Sequence, residues 1–312
     1  MLCGCCGSGS TGETCGSGKK KMSNKKVVVI GASGIVGQHM MLTQPSDIDV
    51  VYTRRTGGGD WIQLNVGVDD VNSWLDEVNP DVIVNLAGQN IVDAVEGNPD
   101  ESVQVNINLP LILARWSDNN NKFFIQGSTQ GIFSGNNPDY TPESKPHPVT
   151  WYGKQKAAAE KLVLLFNKSE IVRLTFVIGV RPNPNVGRKN PLEMMMEQPS
   201  QLQVDDRFFS PVFAYDAAAV LWDRVRLCGS DGKKIVHVGN PIRCSRYSLV
   251  SDLKIASGGK LDVNIEPVSY THFISDVPRP RDTTWKEGTA LYKSDYMDGL
   301  KQCYLEWEKL NK

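Results

Sequence analysis

The 312-residue sequence has no apolar run close to the ~20 residues that a membrane-spanning helix requires, which excludes an integral membrane protein. It also has no excess of positive charge, because 34 Lys and Arg residues are offset by 35 Asp and Glu residues, and this argues against a nucleic-acid partner. No internal repeat is visible. With 40% hydrophobic residues and a mean hydropathy of -0.31, the sequence is typical of a soluble globular protein with a large core.

Metal-ligand spacing is absent among the three cysteines outside residues 1–24, and no metal site is expected, with metal binding or acylation of Cys3, Cys5 and Cys6 as the alternative. Four cysteines lie in residues 1–24, a leader rich in Gly, Ser and Thr that cannot bury a core and is expected to be disordered and dispensable. The leader has no apolar central region, so it is not a secretory signal. The other cysteines, Cys228, Cys244 and Cys303, are scattered, which predicts reduced thiols in the cytoplasm.

The most informative stretch is a short apolar run, Val27–Ile30, that leads directly into a glycine-rich turn. The run predicts a parallel strand buried on both faces, and the apolar positions from residue 35 to residue 42 predict a helix. The free N–H groups at the start of such a helix suit a pyrophosphate. In the GxxGxxG spacing, Gly31 makes the turn, Gly34 lets the backbone approach a phosphate, and Gly37 lets the helix pack on the strand.

Predicted strands and helices then alternate up to about residue 178. The strands are expected over residues 47–53, 61–66, 81–88, 122–126 and 170–177, and the helices over 68–78, 99–119 and 150–167. This alternation predicts an α/β fold, a Rossmann-type doubly wound parallel sheet over residues 25–178, with ligands beyond the carboxyl ends of its strands. The proline-rich, aperiodic segment that follows predicts a smaller C-terminal substrate-binding region over residues 179–312, which returns to the sheet near 212–240.

The second predicted strand ends without the carboxylate that binds the ribose 2′-hydroxyl in NAD-selective sites. Arg54 and Arg55 follow it instead, and their guanidinium groups suit the 2′-phosphate of NADP through charge and forked donors. We therefore expect NADPH or NADP as the cofactor, with NADH as the alternative. Gly31, Asn65 and Gly88 lie at other strand ends, so unusual residues gather at one edge of the predicted sheet.

A candidate proton-transfer site lies at the start of the helix predicted over residues 150–167. Tyr152 and Lys156 are four residues apart, so their side chains share one face of that helix. A nearby ammonium group favours phenolate and is expected to lower the pKa of Tyr152 from about 10, so that the phenol exchanges protons near neutral pH. Thr129, at the end of the fifth predicted strand, is placed to donate a second hydrogen bond to the same substrate oxygen.

Together these features resemble the extended short-chain dehydrogenases/reductases, specifically the dTDP-4-dehydrorhamnose reductase-like type, over residues 26 to about 310. The shared landmarks are Gly31–Gly37, Asn85–Gly88, Val92-Asp93 with Glu96, Gly127–Thr129 with Phe133 and Gly135, Tyr152–Lys156, Val172–Leu174, Val204–Asp206 before Ser210-Pro211, and Arg279–Arg281. The resemblance implies a nicotinamide cofactor on the Rossmann half and a nucleotide-sugar substrate on the C-terminal half. It leaves a homodimer open.

The resemblance also implies a role for each residue of the candidate site. Tyr152 is the implied proton donor, Lys156 holds the nicotinamide ribose and Thr129 orients the keto oxygen of the substrate. The implied cofactor contacts are Gly31, Ser33, Gly34, Ile35, Val36, Gly37, Arg54, Arg55, Asn65, Val66, Leu86, Ala87, Gly88, Tyr152, Lys156 and Val177.

Departures from the family pattern leave three functions open. The family commonly has Asp-Tyr after the catalytic Thr, whereas this chain has Gln130 and Gly131, which cannot act as the acid and base of related 4,6-dehydratases. Residues 181–211, in the substrate segment, match the family only weakly. The main hypothesis is an NADPH-dependent reductase of a nucleotide-linked 4-keto sugar. The alternatives are an epimerase of the same fold and a non-catalytic NADP-binding regulatory subunit resembling that of methionine adenosyltransferase, whose Arg-Arg after strand two is echoed here.

Overall fold

The computed structural model describes residues 24–56, 58–59, 61–67, 69–198, 200–273 and 277–312. The prediction of a disordered leader falls almost entirely on residues 1–23 and so lies outside the described residues. Within the described ranges, no helix is both long enough and apolar enough to cross a membrane.

A parallel sheet forms the centre of the protein. The strands in chain order are β1 (Lys25–Ile30), β2 (Ile48–Arg54), β3 (Ile62–Gln63), β4 (Val82–Asn85), β5 (Phe123–Thr129), β6 (Ser169–Leu174), β7 (Phe176–Ile178), β8 (Ser200–Val204), β9 (Pro211–Phe213), β10 (Ile235–Val238), β11 (Asn264–Val268) and β12 (Ala290–Leu291). Across the described residues, eight of them form one sheet in the order β12-β10-β6-β5-β4-β1-β2-β3, and every neighbouring pair is parallel. The strand order reverses at β1, because β2 and β3 lie on one side of it and β4, β5 and β6 lie on the other. Such a reversal leaves a crevice at the carboxyl ends of β1 and β4.

Helices cover both faces of this sheet. They are α1 (Ile35–Leu42), α2 (Val71–Val78), α3 (Val92–Gly97), α4 (Pro99–Val103), α5 (Leu109–Asn119), α6 (Trp151–Val163), α7 (Pro191–Glu197), α8 (Ala214–Leu227), α9 (Arg246–Ala256) and α10 (Tyr296–Asn311). In β1, Val27 and Val29 pack in the cluster that contains α1 and α8, whereas Val28 and Ile30 pack in the cluster that contains α2, α5 and α6. The prediction of a strand buried on both faces, and of a doubly wound parallel sheet, is confirmed.

A second hydrophobic core is formed by residues of the C-terminal region, from Ile178 onward. It joins α7, α9 and α10 through residues such as Leu192, Leu249 and Leu300, and two small parallel pairs, β8 with β11 and β7 with β9, lie in this part of the chain. The chain returns to the main sheet at β10, which pairs with β6. Met195 and Met196 are buried in the second core.

Several predicted elements differ in extent from the observed ones. The sixth predicted strand is two strands, because β6 stays in the main sheet while β7 leaves it to pair with β9. The helix predicted over residues 99–119 contains a π-helical turn, Gln104–Asn108. Pro110 follows this turn, and since proline has no N–H, it cannot donate to the Asn106 carbonyl group as a regular α-helix requires.

Candidate cofactor and catalytic site

The glycine turn between β1 and α1 has the properties of a phosphate-binding loop. Gly31 has a φ of +78°, and a Cβ there would lie 2.5 Å from the Ala87 backbone nitrogen. A Cβ on Gly37 would lie 2.5 Å from the Ala32 Cα atom, so both positions exclude any side chain. Gly34 differs, because the nearest atom to its Cβ position is 3.5 Å away and no side chain caps α1 there. The space and the helix N–H groups at Gly34 fit a phosphate group.

The end of β2 places Arg54 beside this turn. The Ala32 N–H group donates to the Thr53 carbonyl oxygen (2.9 Å), which joins the two strand ends. The Arg54 guanidinium donates to the Gly58 carbonyl oxygen (3.2 Å) and lies 5.4 Å from the Trp61 ring centre. Arg55 is exposed. The two predicted 2′-phosphate contacts therefore lie next to the glycine turn at the expected sheet edge.

The loop after β4 carries the predicted contacts at residues 86–88 and is shaped by two buried asparagines. Asn85 accepts a hydrogen bond from the Ala87 N–H group (3.1 Å), and Asn106 accepts one from the Gln89 N–H group (2.9 Å). Asn106 also donates to Gln155 on α6 (2.8 Å). Sequence reasoning missed Asn106 as a positioning residue, because the flanking Gln104 and Asn108 are also polar and nothing in the sequence distinguishes Asn106 from them.

The remaining predicted cofactor contacts lie around the same edge. Asn65 and Val66 are partly exposed just after β3, and the Asn65 N–H group donates to Asp69 (2.6 Å). Val177 lies on β7 rather than on a long sixth strand, yet it packs in the same cluster as Ile35 at the start of α1. Val36 is buried, so its side chain belongs to the core and only its backbone faces the turn.

Tyr152 is brought to Thr129 by the close approach of α6 to the turn after β5. Thr150 caps α6 by accepting from the Gly153 N–H group (3.0 Å). Gly153 then packs against the Gly131 carbonyl group so closely that a side chain there would overlap it. A Cβ on Gly131 would lie 3.6 Å from the Tyr152 ring, in ordinary contact. The predicted pair from a strand end and a helix start therefore meets at one point.

The pKa of Tyr152 moves in the opposite direction from the prediction. Burial raises the pKa to about 12, and a hydrogen bond with Thr129 only partly offsets this. The expected lowering of this pKa by Lys156 is therefore wrong: removal of the phenol from water dominates, and the opposing contribution comes from Thr129, not from Lys156. Near neutral pH, Tyr152 is a neutral phenol that carries a proton it can donate.

Lys156 is buried, and its ammonium group donates to the Gly127 carbonyl oxygen (2.7 Å). Burial lowers the pKa of Lys156 to about 8, while the charge of Glu160 opposes this shift. Glu160 is itself buried and forms an ion pair with Arg173 (2.8 Å). One of the three ammonium protons is thus committed to Gly127, and two remain for a ligand.

An arginine cluster in the C-terminal region was not predicted as a site. Burial lowers the pKa of Arg207 to about 10, and the nearby charges of Arg279 and Arg246 act in the same direction. Arg207 lies 4.8 Å from the Tyr270 ring centre and donates to the Pro280 carbonyl oxygen (3.0 Å). The positive charges that act on Arg207 would favour an anion beside it. Only the Arg279–Arg281 landmark pointed to this cluster in the sequence.

Arg279 also joins the two halves of the chain, through an ion pair with Asp93 on α3 (2.5 Å). Among the described residues, no group of His, Cys, Asp and Glu side chains is arranged to hold a metal ion. The cysteines within the same ranges, Cys228, Cys244 and Cys303, are free thiols.

Comparison with known proteins gives one family and a set of relatives. Residues 25–303 match the family model of the RmlD substrate binding domain. The chain is 31% identical over 160 residues to methionine adenosyltransferase 2 subunit beta of Pongo abelii, covering 50% of this chain and 48% of that protein. It is 28% identical over 201 residues to a dTDP-4-dehydrorhamnose reductase of Aggregatibacter actinomycetemcomitans, covering 63% and 66%. The match to the first of these relatives spans about half of that protein's length.

A solved structure shares the fold over nearly the whole chain. It is the dTDP-4-dehydrorhamnose reductase of Bacillus anthracis in complex with NADP, with a TM-score of 0.77 and 23% identity over 91% of this chain and 99% of that one. At this identity the likeness supports the fold alone.

Proposed function

The chain belongs to the RmlD substrate binding domain family, and we propose from this premise that it reduces a nucleotide-linked 4-keto sugar with NADPH. One observation carries the proposal: Tyr152 and Thr129 meet on the sheet edge where the Gly34 turn leaves room for a phosphate. We place the dinucleotide on residues 25–178 and the sugar nucleotide on residues 179–312. The similarity to a dTDP-4-dehydrorhamnose reductase supports this substrate class.

The residues around the glycine turn fit a nicotinamide dinucleotide. Gly34 and the N-terminus of α1 would hold the pyrophosphate, and Arg54 with Arg55 would hold a 2′-phosphate. A bound reduced nicotinamide supplies hydride to a carbonyl carbon.

Tyr152 and Thr129 then act on the oxygen of the same carbonyl group. The raised pKa keeps Tyr152 protonated, so its O–H group donates a proton to the oxygen as negative charge develops there. The Thr129 hydroxyl group donates a hydrogen bond to that oxygen and accepts one from the Gly131 N–H group (3.1 Å), which fixes its orientation. The keto group becomes an alcohol, and the phenolate left behind recovers its proton from solvent.

Lys156 serves two purposes in this scheme. Its two uncommitted N–H bonds would hold the ribose hydroxyls next to the nicotinamide, since the third donates to Gly127. Its positive charge lowers the free energy of the phenolate formed on Tyr152 during proton transfer.

The arginine cluster supports a substrate that carries phosphate. Burial and the positive charges of Arg279 and Arg246 lower the pKa of Arg207, and an anion beside Arg207 would be stabilised. A diphosphate linking a nucleoside to a sugar has this charge.

The decisive experiment is a screen of nucleotide-linked 4-keto sugars, with loss of NADPH absorbance as the readout. Turnover that depends on Tyr152 supports the proposal. Conversion of the sugar without net NADPH oxidation favours an epimerase. The absence of both, together with tight NADPH binding, contradicts a reductase.

A regulatory subunit is the second candidate, because the 31% identical relative is a methionine adenosyltransferase 2 subunit beta. Gln130 and Gly131, which replace the common Asp-Tyr pair beside Thr129, also fit a chain that binds NADP without turnover. The test is the activity of a methionine adenosyltransferase catalytic subunit with and without this protein. Equal effects of the wild type and Tyr152→Phe on that activity favour this role.

A further inference from the structure

Residues 181–190, here called the strap, lie against the glycine turn although they come from the C-terminal region. Gly187 is the point of contact: its φ is +73°, and a Cβ there would overlap the Ser33 carbonyl oxygen. Ser33 immediately precedes Gly34, the residue with room for a phosphate. The strap therefore touches the backbone that would bind the pyrophosphate.

Gln38, a buried residue of α1, connects the strap to the turn. Its amide nitrogen donates to the Ser33 carbonyl oxygen (2.9 Å) and to the Val186 carbonyl oxygen (3.0 Å). Its amide oxygen accepts from the Asn183 N–H group (2.9 Å). Two of these bonds reach the strap and one reaches the turn, so Gln38 holds the strap in one position relative to the glycine turn.

The shape of the strap is set from within by Arg181. This buried side chain forms an ion pair with Glu193 (3.0 Å) and donates to the carbonyl oxygens of Pro184 (2.9 Å) and Gly187 (3.2 Å). A guanidinium that satisfies several carbonyl groups of one loop fixes the backbone of that loop. The strap therefore has a fixed backbone conformation, and the backbone of the residue that follows Gly187 lies beside the turn.

That residue is Arg188, which is exposed. No carboxylate of the described residues is within ion-pair distance of Arg188, whereas the neighbouring Lys189 pairs with Glu197 (2.5 Å). A dinucleotide pyrophosphate carries about two negative charges, and a helix N-terminus supplies only about half a positive charge. Arg54 and Arg55 lie at the β2 side, where they suit the 2′-phosphate. The pyrophosphate is left without a full counter-charge from the residues assigned so far.

We propose that Arg188 is a cofactor-binding residue, whose guanidinium pairs with the pyrophosphate of the dinucleotide at the Gly34 turn. The strap would then be the element through which the C-terminal region contacts the cofactor. This inference rests on the proposed NADPH binding, but the two are tested by different comparisons.

The test is titration calorimetry of the full chain with NADPH, NADH and ADP-ribose. Arg188→Ala should weaken the affinity for all three about tenfold, because all three contain the pyrophosphate. Lys189→Ala is the matched control, since it removes a neighbouring positive charge that is already paired, and it should change each affinity less than twofold. The double variant Arg54→Ala, Arg55→Ala should weaken NADPH binding alone.

Three results would overturn the assignment. Unchanged affinities in Arg188→Ala would make this residue a solvated surface charge. A loss confined to NADPH would place it on the 2′-phosphate, and a changed KM for the sugar nucleotide with unchanged cofactor affinities would place it on the substrate. If the wild type binds none of the three ligands, the proposed function fails as well, and this is seen before any variant is compared. Equal melting temperatures of the variants exclude unfolding as the cause.

Discussion

Lys156 and Glu160 lie one turn apart on α6, and both side chains are buried, with 6% and 2% of their surface exposed. Burial lowers the pKa of Lys156, and the Glu160 carboxylate opposes that shift. Glu160 in turn accepts from the Ser128 hydroxyl group (2.5 Å) and pairs with Arg173. The charge on the proposed ribose-binding lysine therefore depends on a carboxylate held in the core.

Glu160→Gln should lower the pKa of Lys156 below its present value of about 8, because it removes the charge that opposes burial. The ammonium form is lost as the pH rises through that pKa, so the alkaline limb of the kcat/KM profile should move to lower pH by about one unit. The measurement is the pH dependence of the rate of reduction. It is made well below the melting temperature of the variant, because the loss of the Glu160 carboxylate removes the ion pair with Arg173 and is expected to reduce stability.

Ser128→Ala is the matched control for this prediction. It removes a hydrogen bond to Glu160 but no charge, so the alkaline limb should stay in place. A limb that is unmoved in Glu160→Gln, or moved equally in both variants, would contradict an electrostatic role for Glu160.

Alanine substitutions at two glycines of the turn should have different effects, one on stability and the other on NADPH affinity. Gly37→Ala forces a methyl group against the Ala32 backbone and should reduce the free energy of unfolding by about 1–3 kcal/mol or more. Gly34→Ala has room for the methyl group and an ordinary φ of -69°, so its stability should be nearly unchanged. The methyl group would instead obstruct a phosphate, and NADPH affinity should fall at least tenfold.

Urea unfolding and NADPH titration separate these outcomes. A Gly34→Ala protein that binds NADPH as tightly as the wild type would show that the phosphate does not lie over this residue. A Gly37→Ala protein of normal stability would show that α1 can shift away from β1.

The sheet and its edge were predictable because their signals are local. The unbroken apolar run of Val27–Ile30 reflects burial on both faces, and the glycine spacing reflects close contacts within one turn. Tyr152 and Lys156 were recognisable for the same reason, since four residues along a helix determine a shared face. The position of Thr129 at the same edge as the glycine turn followed from the rule that parallel strands end at one edge.

What could not be predicted depends on contacts between distant segments. The pKa of Tyr152 is set by burial, which arises when Gly153 packs on the Gly131 turn, and spacing alone carries no information about that. The strap is aperiodic and rich in proline, and its position depends on Gln38, far away in the sequence. The arginine cluster likewise forms only when Arg207 meets Arg279 in the folded chain.

The double variant Arg54→Ala, Arg55→Ala should lose the preference for NADPH over NADH. Two charge-assisted contacts at about 1.5–3 kcal/mol each correspond to at least a tenfold preference in the wild type. Affinity for NADH should change little and serves as the internal control for folding. Equal affinities of the wild type for the two cofactors would show that neither guanidinium binds a 2′-phosphate.

Tyr152→Phe should abolish most of the turnover while leaving the cofactor site intact. The variant keeps the ring beside Gly131 but removes the proton that the raised pKa retains. General acid catalysis typically contributes about 10²–10⁴-fold, so kcat should fall by that factor. NADPH affinity, measured by titration, should stay within about twofold of the wild type, since less than 0.5 kcal/mol of binding is at stake.

Lys156→Met is the variant to compare with Tyr152→Phe, because it should affect NADPH binding as well as turnover. The thioether side chain has a similar length but donates no hydrogen bond to Gly127 or to a ribose, so both kcat and NADPH affinity should fall. The proposed site therefore requires that Tyr152→Phe lowers turnover alone, whereas Lys156→Met lowers both turnover and NADPH affinity. More than a tenth of wild-type turnover in Tyr152→Phe, under conditions where chemistry limits the rate, would show that another group donates the proton.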